Sequence, residues 1–393
     1  MDKKLTKKSY LFLTGDTRSG NVGDKLITRR AIELFTKVKG NKRILKIDRR
    51  ETIDPENLKN FKAILLTGGP ALQHNMIPEI YPSLNIDEVI KNNIPVILFG
   101  IGHNDYRRDL CNTVSFNEET RMFLNFIKNQ GFYHGVRDIV SYRTLKKIFD
   151  EKLLLTGCPA MYSEEVVEIS KSSTYDIPLR HNGDYLLFST PNRMFFNRFF
   201  MDYIKELLLH LREIDNIVVI FHHPTSELFL TIYGETENNI TYLRNASRFK
   251  KFLNNHGLKW IDTENSLEKM ILWYNNSKMH IGFRLHGHIL SLSLLKPSIL
   301  IVEDGRSFAV SKSFNFLALS PFKDKYTYFP EKLIRYLLWY QSNRKICNPS
   351  KLAEVIRDFI RHEKKAGYIL TRSQILTIAK TYPLMEKLIN EIP

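Results

Sequence analysis

The sequence predicts an α/β protein made of two Rossmann-like domains facing each other across a cleft. Strand-length apolar runs alternate with segments of helical period almost from the first residue, which is the pattern of βαβ units and a mainly parallel sheet. The alternation breaks in a polar stretch at 163–183 and then starts afresh. Several of the apolar runs end in a glycine-rich or polar turn. Length agrees, because 393 residues with 43% hydrophobic content can bury two cores of ordinary size and are long for one.

The first domain is expected at 1–178, with strands near 10–14, 43–47, 63–67, 96–99, 132–136 and 153–155 and helices near 25–35, 118–129 and 141–148. The second is expected at 179–330. Its strands fall at 185–188, 217–221, 259–261, 279–281 and 298–302, and its helices at 196–211, 245–255, 266–274 and 288–295. After Pro330 the pattern changes to Leu333, Ile334, Leu337 and Leu338, then Leu352, Ile356, Phe359 and Ile360, among many basic residues. That spacing predicts a helical basic tail over 331–393, folding back on the first domain.

The net charge of +16 is unevenly distributed. Residues 1–50 carry 15 basic and 5 acidic side chains, residues 51–330 carry 31 of each, and residues 331–393 carry 12 and 6. A neutral middle excludes a nucleic-acid groove through the body, and no nucleic-acid module is present. The basic ends suit an anionic bilayer, or serve only as a solvated face. The three cysteines, Cys111, Cys158 and Cys347, form neither a disulfide framework nor a metal-type pair. The apolar run at 10–13 is too short to span a membrane. These features predict a cytoplasmic chain, soluble or peripheral on the inner face of the cell membrane.

An open α/β sheet binds ligands outside the carboxyl ends of its strands. Turns fall there at Gly15-Asp16, leading on to Gly20-Asn21-Val22-Gly23-Asp24, and at Gly68-Gly69-Pro70, Gly100-Ile101-Gly102-His103, Arg137-Asp138, Gly157-Cys158-Pro159 and Phe283-Arg284-Leu285-His286-Gly287. The last puts a guanidinium and an imidazole on one strand-to-helix turn, where α/β proteins hold anions. Gly20 to Asp24 fits neither the dinucleotide nor the P-loop pattern, so neither cofactor follows from it. His222 and His223, before Pro224, stand at another strand end. They could contact an anion or move a proton, or form a plain polar turn. A metal site is not predicted, because no ligand cluster at familiar spacing accompanies them.

The ordered set of Gly20 to Asp24, Leu65 to Gly69, Phe99 to Gly102, Val136-Arg137-Asp138 with Ser141, and Arg284-Leu285-His286 followed by Lys296-Pro297 and Asp304 resembles the polysaccharide pyruvyl transferases over roughly residues 10–310. The resemblance implies a fold similar to GT-B glycosyltransferases. It also implies transfer of pyruvate from phosphoenolpyruvate, the donor substrate, onto two sugar hydroxyls as a ketal, with no further cofactor. Arg284 and His286 would then be catalytic. Arg193, His222, His223 and Arg306 would serve the donor. Asn21, Gly23, Asp24, Gly68, Gly69, His103, Asp105 and Arg137 would serve a saccharide acceptor, free or lipid-linked.

The chemistry of the residues supports that division. Guanidinium forks bind carboxylate and phosphate in bidentate fashion, and an imidazole of ordinary pKa can move protons near neutrality. Structural alternatives stay open: His286 could cap its helix, Arg284 could pair with Asp304, and Arg137 and Asp138 could serve only each other. A nucleotide-sugar glycosyltransferase of the same fold and a non-catalytic glycan-binding relative remain as alternatives.

Overall fold

The computed structural model describes residues 9–16, 19–82, 84–104, 114–174, 176–191, 194–320 and 348–393. It has two parallel sheets. The first comprises β1 (Ser9–Thr14), β2 (Ile44–Asp48), β3 (Phe61–Thr67), β4 (Pro70–Leu72), β5 (Val96–His103), β6 (His134–Val136) and β7 (Leu153–Leu155), in the order β2-β1-β3-β5-β6-β7 with β4 paired to β5. The second comprises β8 (Leu186–Ser189), β9 (Ile217–Phe221), β10 (Lys259–Asp262), β11 (Met279–Gly282), β12 (Ser298–Ile301) and β13 (Ala318–Leu319), in the order β10-β9-β8-β11-β12-β13. Strands β1, β5, β9 and β12 are buried along their whole length, which is why apolar runs mark them in the sequence.

Chain direction across each sheet reverses at one point, between β1 and β3 in the first and between β8 and β11 in the second. Connections leave to opposite faces there, and the strand ends splay into a crevice. In the first sheet that crevice receives the turn leading into helix α1 (Val22–Lys39), together with Gly68 and Gly69. In the second it receives Arg284 to His286.

The halves are joined by more than a cleft. Leu26, Ile27 and Ala31 of α1 share one apolar core with Met270 and Tyr274 on the helix Leu267–Asn276 and Ile289 on the helix Leu285–Ser293. The final helix, Ile369–Glu391, buries Ile375, Ile378, Tyr382, Met385, Leu388 and Ile389 in that same core. It is tied to the first sheet's side by Tyr10 Oη donating to Pro393 O at 2.6 Å and by Lys39 Nζ donating to Asn390 O at 2.9 Å. The preceding helix, Pro349–Lys365, packs instead against Arg198–Leu211 of the second half. The expected periodic stretch at 333–338 lies outside the described residues.

Local signals account for most boundaries, and misleading ones account for the differences. The helix Glu164–Lys171 begins inside the stretch expected to be a polar break. Ser163 caps it, and Val166, Val167 and Ile169 bury one face. The helix expected at 288–295 starts earlier, at Leu285, so His286 lies in its first turn. Among the described residues, no helix is long and apolar enough to cross a membrane.

Candidate active site

The two crevices close on each other around the first turn of α1. Asn21 caps that helix, its Oδ1 accepting from Gly23 N at 3.3 Å, and the same oxygen accepts from Arg284 Nη2 at 2.9 Å. Val22 N donates to His222 O at 3.2 Å, and Gly20 N donates to Tyr233 Oη at 2.9 Å. Gly23 is required by contact: a Cβ there would lie 2.5 Å from Nδ1 of His286. The glycines of this turn therefore let one half approach the imidazole of the other.

Arg284 lies two residues beyond β11 and immediately before the helix Leu285–Ser293, with its own N–H donating to Ser189 Oγ at 3.2 Å. It is only 8% exposed. Burial lowers its pKa from the ordinary value, and Glu303 opposes that shift. An arginine so placed still carries its charge at neutral pH. His286 Nε2 is buried and has no hydrogen-bond partner among the described residues. Its pKa is pushed down to about 3, first by burial and then by the charges of Arg137, Arg284 and Arg306. The ordinary imidazole pKa expected from the sequence is thus not that of the unliganded site, where His286 is neutral at pH 7. An anionic ligand would cancel part of the guanidinium field and raise it.

His222, at the carboxyl end of β9, is buried with Nε2 2.9 Å from Tyr274 Oη, and its Nδ1 has no partner among the described residues. His223 Nδ1 lies 3.1 Å from Tyr233 Oη, and its Nε2 is likewise buried without a partner. Both are held well below the usual histidine range, by burial first and then by Arg284 and other nearby cations and imidazoles. Arg306 donates through Nε to Asp304 Oδ2 at 2.8 Å, and Asp304 caps the helix Gly305–Phe314. Arg284 meets Asn21, so the alternative of a pair with Asp304 is not the one formed.

The first half contributes Asp24, whose carboxyl is raised by burial against the lowering effects of Ser19, Arg49, Arg284 and Arg306. Ser19 Oγ donates to Asp24 Oδ2 at 2.6 Å. Arg137 is almost fully buried, in space that only a glycine at 102 leaves open. His103 does not open into the cleft as expected. It is 2% exposed, its Nδ1 is 3.2 Å from Asp138 Oδ1, and Asp138 caps the helix Ile139–Phe149. Burial would push the Asp138 carboxyl up, but His103, Arg137 and Ser141 outweigh it and hold it at about 2. Gly68, at φ +50°, packs against Ile27, where a Cβ would fall 2.1 Å from Cγ2. Gly69 accepts from Gly102 N at 2.9 Å. Arg193 and Asp105 lie outside the described residues.

Four groups escaped the sequence reading: Arg49, Ser189, Tyr233 and Tyr274. The two tyrosines sit in helical runs where an aromatic normally means core. Ser189 ends β8, and the strand-end rule that singled out Arg284 applies equally to it. Beside the site, Asp16, Lys25, Arg29, Lys46, Asn265 and Glu268 line an open groove of ≈ 660 Å³ between the halves. Among the described residues, no group of three His, Cys, Asp or Glu side chains is placed to hold a metal ion.

The ordered motifs and this geometry coincide with a family model for polysaccharide pyruvyl transferases, matched over residues 21–305. The chain belongs to the polysaccharide pyruvyl transferase family. A glycosyltransferase from Rickettsia africae shares the fold, with a TM-score of 0.52 and 13% identity, covering 98% of each chain. The UDP-GlcNAc 2-epimerase of Methanocaldococcus jannaschii, in complex with UDP-GlcNAc and UDP, gives a TM-score of 0.44 at 13% identity, covering 90% of this chain and 99% of that one. No curated protein gives a match. The family and the shared fold together give a transferase with GT-B-like architecture.

Proposed function

We propose that this pyruvyl transferase family member uses phosphoenolpyruvate as donor and forms a pyruvate ketal across two hydroxyls of a cell-surface glycan or its lipid-linked precursor. The observation that carries this reading is the meeting at the first turn of α1 of Arg284, held by Asn21 Oδ1, with His286, which packs against Gly23, whose Nε2 is buried without a partner among the described residues, and whose pKa the charges of Arg137, Arg284 and Arg306 help to depress. A small ligand with both carboxylate and phosphate matches that concentration of fixed positive charge. The donor would lie against Arg284, Arg306, His222 and His223. Arg193, which follows β8, is proposed to join them.

In the reaction, C3 of the enol ester gains a proton and C2 becomes oxocarbenium-like. One sugar hydroxyl adds to C2 and gives up its proton, the C2–O bond to phosphate breaks, and the second hydroxyl closes the ring. Two hydroxyl protons are released, one balancing the proton taken up at C3 and one leaving with phosphate. His286 would move the C3 proton once the bound anion has raised its pKa. The acceptor would approach along the groove lined by Asp16, Lys25 and Asn265, reaching Asn21, Gly23, Asp24, Gly68, Gly69 and Arg137. The basic ends would rest on the anionic inner face of the cell membrane, which vesicle sedimentation in low and high salt would measure.

Incubation with phosphoenolpyruvate and saccharide acceptors should release phosphate and yield an acid-labile ketal. Arg284→Ala and His286→Gln should abolish both. Stabilisation by a nucleoside diphosphate, with none by phosphoenolpyruvate, would point instead to a glycosyltransferase. Stabilisation by a glycan alone would point to a binding protein.

A further inference from the structure

The buried cation of the site is held by a neutral group from the opposite half. Arg284 is 8% exposed, and among the described residues its guanidinium makes no ion pair. Its hydrogen bond runs to Asn21, whose Oδ1 accepts from Arg284 Nη2 at 2.9 Å and from Gly23 N at 3.3 Å. Neither donor can accept, so the amide must present its oxygen to both. The contact is braced from each side. Asn21 N donates to Ser19 Oγ at 3.1 Å and Val22 N to His222 O at 3.2 Å, while Arg284 N donates to Ser189 Oγ at 3.2 Å. Asp24, the carboxylate of the same turn, accepts from Ser19 Oγ at 2.6 Å and is not the partner of Arg284.

The start of a helix does not by itself explain an asparagine here. Asn, Asp and Ser cap a helix about equally well, because each offers an oxygen to the first free amides. Arg284 tells them apart. A serine oxygen stands one bond nearer the backbone, so it would cap α1 while withdrawing from the guanidinium. An aspartate would keep the reach but set a negative charge on the buried cation, closing the pair within the protein. Asparagine fixes the direction of the fork and leaves its charge uncompensated. Nη2 alone is engaged among the described residues, so the other N–H groups of the guanidinium remain for a ligand, with the full positive charge behind them.

We propose that Asn21 is a positioning residue for the donor anion: it aims the Arg284 fork from across the halves and, being neutral, leaves that charge free for a carboxylate or phosphate. The identity of the anion rests on the proposed donor reading, whereas the need for a neutral holder follows from the contact itself. Urea unfolding and calorimetric titration with phosphoenolpyruvate, on full-length Asn21→Asp and Asn21→Ser, test it. Asn21→Asp should unfold at higher urea than the wild type, because the buried cation gains a counter-charge, and the gain should vanish when Arg284→Gln is also present. The same variant should bind phosphoenolpyruvate roughly 10–100-fold more weakly. Asn21→Ser, with the cap kept and the charge free, should lose only about three- to tenfold. Unchanged affinity in Asn21→Asp makes Asn21 a helix cap only and overturns the proposal. A urea midpoint that fails to rise overturns it too, since Arg284 then does not take the carboxylate. If the wild type binds no phosphoenolpyruvate, the donor reading fails and inorganic phosphate decides: it must stabilise the wild type and not Asn21→Asp, and equal effects on the two overturn the positioning role.

Discussion

Replacing Gly287 with alanine probes the packing beneath the Arg284-to-His286 turn. In an exposed helix the change is worth about 1 kcal/mol of added stability, because alanine loses less backbone freedom on folding. Here the new Cβ would fall 2.2 Å from Tyr274 Oη and 3.1 Å from His280 Nε2, well inside contact distance. Tyr274 is fully buried and bonded to His222, so its ring has nowhere to swing without losing that bond. Overpacking a tight core costs roughly 1–3 kcal/mol, which offsets or exceeds the helix gain. The expected net effect is a loss of up to about 2 kcal/mol. Tyr274→Phe removes the offending oxygen and leaves Cζ at 3.1 Å as the nearest ring atom. In that background the same glycine substitution should cost at least about 1 kcal/mol less, which is coupling typical of touching residues. Urea unfolding of the four proteins measures the cycle. Additivity to within about 0.5 kcal/mol, or stabilisation by Gly287→Ala alone, would refute the reasoning.

Arg284→Lys keeps a charge but loses the fork that reaches Asn21, so kcat/KM for phosphoenolpyruvate should fall at least about tenfold in a phosphate-release assay. Acid should destabilise the protein before its carboxylates titrate. His134, His286 and His288 are depressed to about 3, and His222, His223 and His280 lie well below the usual value, all chiefly by burial. The unfolded chain binds protons near pH 6.5 that the folded chain refuses, so this contribution is complete above that pH and is lost as pH falls from 6.5 towards 3. A urea midpoint independent of pH between 7.5 and 5 would contradict it. Deleting residues 368–393 should abolish folding. The six large side chains that Ile369–Glu391 buries are worth roughly 1.5–3 kcal/mol each, together as much as a whole domain's net stability. Circular dichroism and gel filtration of the shortened chain would check it.

Much of this fold was legible as local pattern. Fully buried strands such as β9 and β12 appear as apolar runs because both faces meet protein, and polar caps such as Asn117 and Asp138 mark where helices begin. Glu164–Lys171 was hidden because a half-buried, charged helix looks like a polar linker when its partner surface is unknown. His103 misled for a related reason: its position after a strand suggested exposure, while Asp138, 35 residues later, draws it inward.

The sequence alone determined two α/β halves, the strand-end turns and the placing of Arg284 and His286 on one of them, because periodicity and turn chemistry are properties of neighbouring residues. Only the tertiary structure decided that Asn21 would meet Arg284 across 263 positions, that Gly23 would face His286, and that His280 would sit between Ser189 and Ser298 in the buried interior. Those contacts depend on how sheets and helices pack in three dimensions. No local spacing encodes which strand end will close upon which.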